Sequence, residues 1–144
     1  MSAAQDMQVR VYSGVSGQSA DHRSMEGGVS KSVIRLQKDA QLEQVGLPEG
    51  VMEGHPIQAE NIAYSAQDGK VLSGVWACEP GRFSGEDYPV HEICFVLEGK
   101  VGIIDDESGE EQIFEPGDSF VVPKGSNTTW VVYEPMKKFF MVSE

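Results

Sequence analysis

Four side chains with usable chemistry share one parity in a short stretch of the chain: Glu86, Tyr88, Glu92 and Cys94. Side chains alternate faces along a strand, so residues of one parity look the same way. Two carboxylates, a phenol and a thiol directed at one interior would place acid, base, hydrogen-bonding and soft-donor groups at close quarters. Glu92 is the most pointed of them. It sits within Val90-His91-Glu92-Ile93-Cys94-Phe95-Val96-Leu97, an otherwise largely apolar run, and a carboxylate buried there needs a partner. Pro89 interrupts the alternation, which bears most on Glu86. Plainer readings stand beside these. Glu86, next to Asp87, reads equally as a solvated loop carboxylate, Tyr88 as a mouth-lining aromatic, and Cys94 as an unreactive packed thiol. A two-carboxylate hydrolytic site from Glu86 and Glu92 would need one carboxyl with a raised pKa.

A second run, Thr128 to Tyr133, adds Thr128 and Trp130, again of one parity. Trp130 reads as a pocket wall or as core. The three histidines are placed for neither catalysis nor metal. His91 has the opposite parity to Glu92, and His22 and His55 lie in turn-rich segments. No Ser or Cys therefore has a triad partner. Gly27-Gly28 lacks the Lys-Ser/Thr and helix of a phosphate loop.

The elements that must position these residues are strands. Ile57 to Ser65, Val71 to Cys78, Val90 to Leu97, Val101 to Ile104, Gln112 to Phe114, Phe120 to Val122, Thr128 to Tyr133 and Phe139 to Val142 are predicted, with turns between them. Strands at this spacing indicate a sandwich or closed barrel. Residues 33–47 fit a short helix or an extended segment, and Leu47-Pro48-Glu49-Gly50 marks a turn. Residues 1–30 are rich in Ser, Gly, Gln and Ala and read as an arm that is mobile alone, with one strand candidate at Gln8 to Tyr12.

The chain of 144 residues suits one domain, and its 16 glycines and 7 prolines suit many turns. A formal net charge of −12 argues against nucleic acid and anionic membrane as partners. No apolar run approaches the roughly 20 residues that span a bilayer. The N-terminus has no signal pattern, and Cys78 and Cys94 stand outside any Cys-x-x-Cys frame, so a cytoplasmic protein with reduced thiols is expected.

Leu97-Glu98-Gly99, Gly117-Asp118 and Pro123-x-Gly125, with Gly74-Val75-Trp76, Pro80-Gly81-Arg82-Phe83, Glu92, Trp130 and Glu134-Pro135-Met136-Lys137-Lys138, give the chain its family likeness. Over roughly residues 54–142 it resembles the cupin superfamily, in particular the small cupins grouped with the cupin domain of (S)-ureidoglycine aminohydrolase. The resemblance implies an all-β jelly-roll β-barrel (a double-stranded β-helix), here a cupin domain over residues 31–144 with its motif core at 71–142. It also implies metal-ligand positions, which fall on Glu86, Tyr88, Glu92 and Thr128. In that aminohydrolase family the site holds Mn²⁺ through a carboxylate, histidines and an amide. The four positions here lack imidazole and thiolate, so neither a tight transition metal nor any other cofactor is expected, the open alternative being Mn²⁺ or Mg²⁺ held loosely by Glu86 and Glu92 with waters filling the shell.

The expected ligand pocket comprises Glu86, Tyr88, Glu92, Cys94, Thr128 and Trp130. Its expected occupant is a small polar nitrogenous or carboxylate metabolite. Whether that molecule is turned over is left open. The alternative is a non-catalytic module for ligand sensing or assembly. Open sheet edges and the Gln8 to Tyr12 segment predict a homodimer.

Overall fold

The computed structural model describes residues 32–144, so the arm expected over residues 1–30 lies outside the described residues. Nine strands follow one another: β1 (Glu43–Gly46), β2 (Val51–Gly54), β3 (Gln58–Ala66), β4 (Val71–Cys78), β5 (Gly81–Gly85), β6 (His91–Asp105), β7 (Glu111–Phe114), β8 (Ser119–Val122) and β9 (Thr128–Ser143). All pairings are antiparallel. Along the sheet the order is β1-β3-β4-β9-β5-β2, with β6 joining β7, β8 and β9. This is the curled, all-β jelly roll that the strand spacing and the family likeness predict.

Two long strands make the curl. β6 and β9 pair from His91↔Ser143 to Asp105↔Thr128. The first half of β9 also pairs β5, and its second half pairs β4. The same two strands therefore belong to both walls of the barrel. The fold line lies where the β6–β9 register shifts between Val96 and Val101. Gly99 sits there at φ +86, and a Cβ on it would stand 2.1 Å from the Pro135 carbonyl oxygen. Only glycine fits this bulge. Before it the even residues Glu92, Cys94 and Val96 are buried; after it Val101 is buried and Ile103 packs on the core. The bulge changes which parity faces inward, so one strand lines two walls.

The pairs expected at 90–97 with 101–104 and at 128–133 with 139–142 are thus continuous strands that cross the fold line. Polar residues at Glu98 and Glu134 mark a bend, not an end. Residues 33–42 contain no helix; a turn closes where the Ala40 amide donates to the Gln37 carbonyl, and β1 follows. β1, β2 and β5 add to the expected strands. They are 4, 4 and 5 residues long, and neither β1 nor β2 alternates, β2 being exposed throughout; β5 alternates over Arg82 to Gly85, too short a run beside Pro80-Gly81 to read as a strand.

The core fills the space between the walls with Leu72, Trp76, Phe83, Trp130, Met136 and Phe140 among others. Phe83 is wholly buried and stacks on Trp130, with ring centroids 6.0 Å apart. Among the described residues no helix is long and apolar enough to cross a membrane.

Candidate functional site

The inward face of β6 delivers Glu92 and Cys94, and the facing strand β9 delivers Lys138. The register Cys94↔Phe140 and Val96↔Lys138 sets them side by side. The Lys138 ammonium donates to Glu92 Oε2 at 2.7 Å and to Cys94 Sγ at 3.2 Å. The Tyr88 hydroxyl donates to the other carboxylate oxygen, Glu92 Oε1. All four residues are sealed from solvent, with exposures of 3% for Tyr88 and 1% for Glu92, Cys94 and Lys138.

Aromatic rings close the space around the ammonium. Lys138 Nζ lies 4.7 Å from the Trp76 ring centre and 4.8 Å from that of Trp130. Such placement satisfies the side of the cation that has no hydrogen-bond acceptor. Trp76 is fixed in turn, its indole N–H donating to Gln58 Oε1 at 3.0 Å. Trp130 stacks on Tyr88 with the ring planes 3° apart.

Electrostatics follow from burial. Burial pushes the Tyr88 hydroxyl well above its ordinary pKa, and the Glu92 carboxylate adds to the effect. The Cys94 thiol is raised for the same two reasons, while Lys138 acts against them. For Lys138, burial acts to lower the pKa, but the Cys94 sulfur and the Glu92 carboxylate outweigh it and hold the amine above its usual value. At neutral pH Tyr88 is thus a phenol, Cys94 a thiol and Lys138 an ammonium held against Glu92.

The sequence-predicted pocket residues divide into three groups. Tyr88, Glu92, Cys94 and Trp130 come together in this sealed cluster. Thr128 stands apart, on the wall of an open cavity of about 700 Å³ at the barrel mouth. Glu86 is exposed on the turn after β5. Asp87, at φ 46, breaks the alternation between Glu86 and Tyr88. His91 faces out, its Nδ1 accepting from the Lys124 amide at 3.2 Å, and His55 is exposed. His22 lies outside the described residues.

Lys138 is the residue that sequence reasoning missed. Its signal was present: Met136, Phe140 and Val142 share its parity and are all buried, so a lysine among them must face inward. Reading Glu134 to Lys138 as a polar break between two strands concealed it.

The mouth cavity is framed by the inward residues Ile103, Gln112, Phe114, Phe120, Val122 and Thr128. Phe114 and Phe120 stack with centroids 4.3 Å apart, and Phe120 meets Trp130 edge-on at 6.0 Å. Trp130 and Phe120 therefore stand between the open cavity and the sealed cluster.

A metal, which the cupin resemblance implies at the motif positions, does not fit these residues. Glu92 is the motif carboxylate, and Tyr88 and Lys138 already engage both its oxygens. An ammonium beside that carboxylate repels a divalent cation. Among the described residues no group of three or more His, Cys, Asp or Glu side chains could hold a metal ion.

The curled antiparallel sheet, the inward glutamate of the first motif and the Pro-x-Gly turn of the second define a cupin. More narrowly, the chain belongs to the EutQ-like cupin domain family, whose family model matches residues 65–140. Among solved structures it is similar to a DUF861-family protein of unknown function from Pseudomonas syringae, with 22% identity and a TM-score of 0.69 over 75% of this chain and 46% of that one. It is also similar to the EutQ protein of Clostridium difficile, with 17% identity and a TM-score of 0.53 over 61% of this chain and 63% of that one. A putative ethanolamine utilisation protein Q from Salmonella typhimurium shares 18% identity and a TM-score of 0.52 over 78% of this chain and 98% of that one. This chain thus spans under half of the Pseudomonas protein and under two thirds of the Clostridium protein. At these identities the likeness shows the fold alone. None of the curated proteins matches the chain.

Proposed function

We propose that this chain is a small-molecule-binding cupin that works without a metal, taking its ligand at the barrel mouth. The observation that carries the proposal is the Lys138–Glu92 pair, 2.7 Å apart and buried where the fold would otherwise place a metal. The cavity above it, about 700 Å³, lies within the range of small-molecule sites. Phe120 lines it and packs edge-on against Trp130, so occupancy of the mouth bears on the packing of the cluster through that contact.

Binding without turnover is the reading the chemistry favours. Tyr88 and Lys138 hold their protons tightly, and both oxygens of Glu92 are engaged, so the cluster offers the cavity no free base. The second reading is an enzyme related to ureidoglycine aminohydrolase, acting on a small nitrogenous metabolite. It draws support from the motif pattern, but the Lys138 ammonium opposes the Mn²⁺ that chemistry uses.

Assembly as a homodimer in the cytoplasm belongs to the same proposal. Ile93, Phe95, Val121 and Met141 are each more than 40% exposed. They adjoin across β8, β6 and β9 through the pairs Ile93↔Val121 and Ile93↔Met141. An apolar strip of this kind on a strongly acidic chain suits a second copy better than solvent. Cys78 and Cys94 are free and buried, consistent with a reducing compartment.

Native mass spectrometry of the protein as purified tests both parts. The expected spectrum is a dimer at micromolar concentration that carries, or takes up from a metabolite mixture, an organic adduct. A bare monomer that takes up nothing from that mixture would overturn the proposal.

A further inference from the structure

The charge around the mouth is of one sign. The ionisable side chains lining the cavity are Asp105, Glu107 and Glu110, with no lysine, arginine or histidine among its lining residues. Asp105 ends β6, and Glu107 and Glu110 follow on the turn to β7, which the Asp105 carboxylate shapes by accepting from the Glu107 amide at 2.9 Å. The carboxylates of Glu107 and Glu110 meet no hydrogen-bonding or ionic partner among the described residues. The nearest interior cation, Lys138, is neutralised by Glu92 and shut behind Trp130.

Beneath these carboxylates the cavity is apolar and aromatic. Phe114 and Phe120 are half-buried and stacked, so part of this aromatic surface stays open to the cavity. Anionic groups over an aromatic floor form a receptor for one class of molecule. An organic cation gains from the carboxylates and from the ring faces, while its apolar body covers the Phe surface.

We infer that the mouth cavity binds a small organic ammonium compound, its cationic group between the Asp105–Glu110 turn and the Phe114–Phe120 pair. The inference rests on the reading of the mouth as the ligand site and adds the ligand's charge. Anionic ligands are disfavoured because three carboxylates already crowd the rim.

Calorimetric titration with choline and with its neutral isostere 3,3-dimethyl-1-butanol tests the charge alone. Choline should bind saturably at low salt and about ten-fold tighter than the isostere, the order expected from two partly solvated carboxylates and an aromatic face. The double variant Glu107→Gln/Glu110→Gln, confined to an exposed turn, should bring the two probes to within about two- to three-fold of each other. Phe120→Leu should weaken both. Equal binding of choline and the isostere overturns the cation inference and leaves the pocket reading standing. No saturable binding of choline, or choline binding unchanged in both variants, also overturns it. Native mass spectrometry then judges the pocket reading separately.

Discussion

Tyr88, Glu92, Cys94 and Lys138 on one side of Trp130, and the Asp105–Glu110 turn on the other, dispose of their charges in opposite ways. In the lumen Tyr88, Glu92, Cys94 and Lys138 are partnered with one another and closed to water, and only the Trp130 indole N–H beside them has no partner among the described residues. At the mouth, the carboxylates of Glu107 and Glu110 have no partner among the described residues and face solvent. Both regions draw on the same strand β6, whose bulge at Gly99 changes the inward parity between Cys94 and Ile103. The sealed region acts as structure: a paired charge in low dielectric is held in place by the penalty for separating it. The open region is where binding energy is still available. Metal-holding cupins put a cation in the first region; here the chain supplies one from its own side chain, and on the proposed reading recognition moves outward.

The largest effect should come from separating the buried pair. Lys138→Met removes the ammonium but leaves Glu92 in an apolar interior, and we expect a loss of roughly 3–5 kcal/mol in denaturant unfolding. Lys138→Met combined with Glu92→Gln should regain much of that loss, since no unpaired charge remains. If the single variant is as stable as the parent, the pair is not what closes the lumen. No loss of comparable size should follow Glu107→Gln at the mouth, where the carboxylate is solvated.

A smaller effect should appear at alkaline pH. Burial, the leading cause in each case, raises the thiols of Cys78 (to about 12) and Cys94 and the Tyr88 hydroxyl. Lys138 is raised as well, its neighbours outweighing burial. Each group holds its proton more firmly in the folded protein, so its contribution is fully present below its unfolded pKa. That contribution is lost as pH rises, first for thiols near about 8.5, then for tyrosine and lysine near about 10. Each titrating group adds a slope of about 1.4 kcal/mol per pH unit. With two thiols titrating over about two pH units, urea unfolding should therefore show stability falling by roughly 5–6 kcal/mol between pH 8 and pH 10.5. A flat profile over that range would mean that the cluster opens to water.

Much of this architecture was legible in the sequence, and the gaps have a physical pattern. The alternation through His91 to Val96 reads directly as exposed and buried in turn, which placed Glu92 and Cys94 correctly on one face. β4 was bounded correctly because a turn precedes Val71 and Glu79-Pro80 follows Cys78. Strands such as β2, with no buried residue, carry no alternation to read. Lys138 was hidden because a charged residue beside Lys137 and Pro135 suggests a turn, which masked the parity it shares with Met136, Phe140 and Val142; the register with Val96 confirms that it faces inward. Glu86 could not be placed because its orientation depends on a positive φ at Asp87. The mouth cavity escaped notice because it joins β6, β7, β8 and the loop before β9, which no spacing rule connects.

The most direct measurement is metal content. The protein is incubated with Mn²⁺, Fe²⁺, Ni²⁺ or Zn²⁺, dialysed without chelator and subjected to elemental analysis beside Glu92→Gln. With Lys138 already paired to Glu92, the account predicts no stoichiometric metal in either protein. Close to one equivalent per chain, lost in Glu92→Gln, would contradict it and return the lumen to metal chemistry.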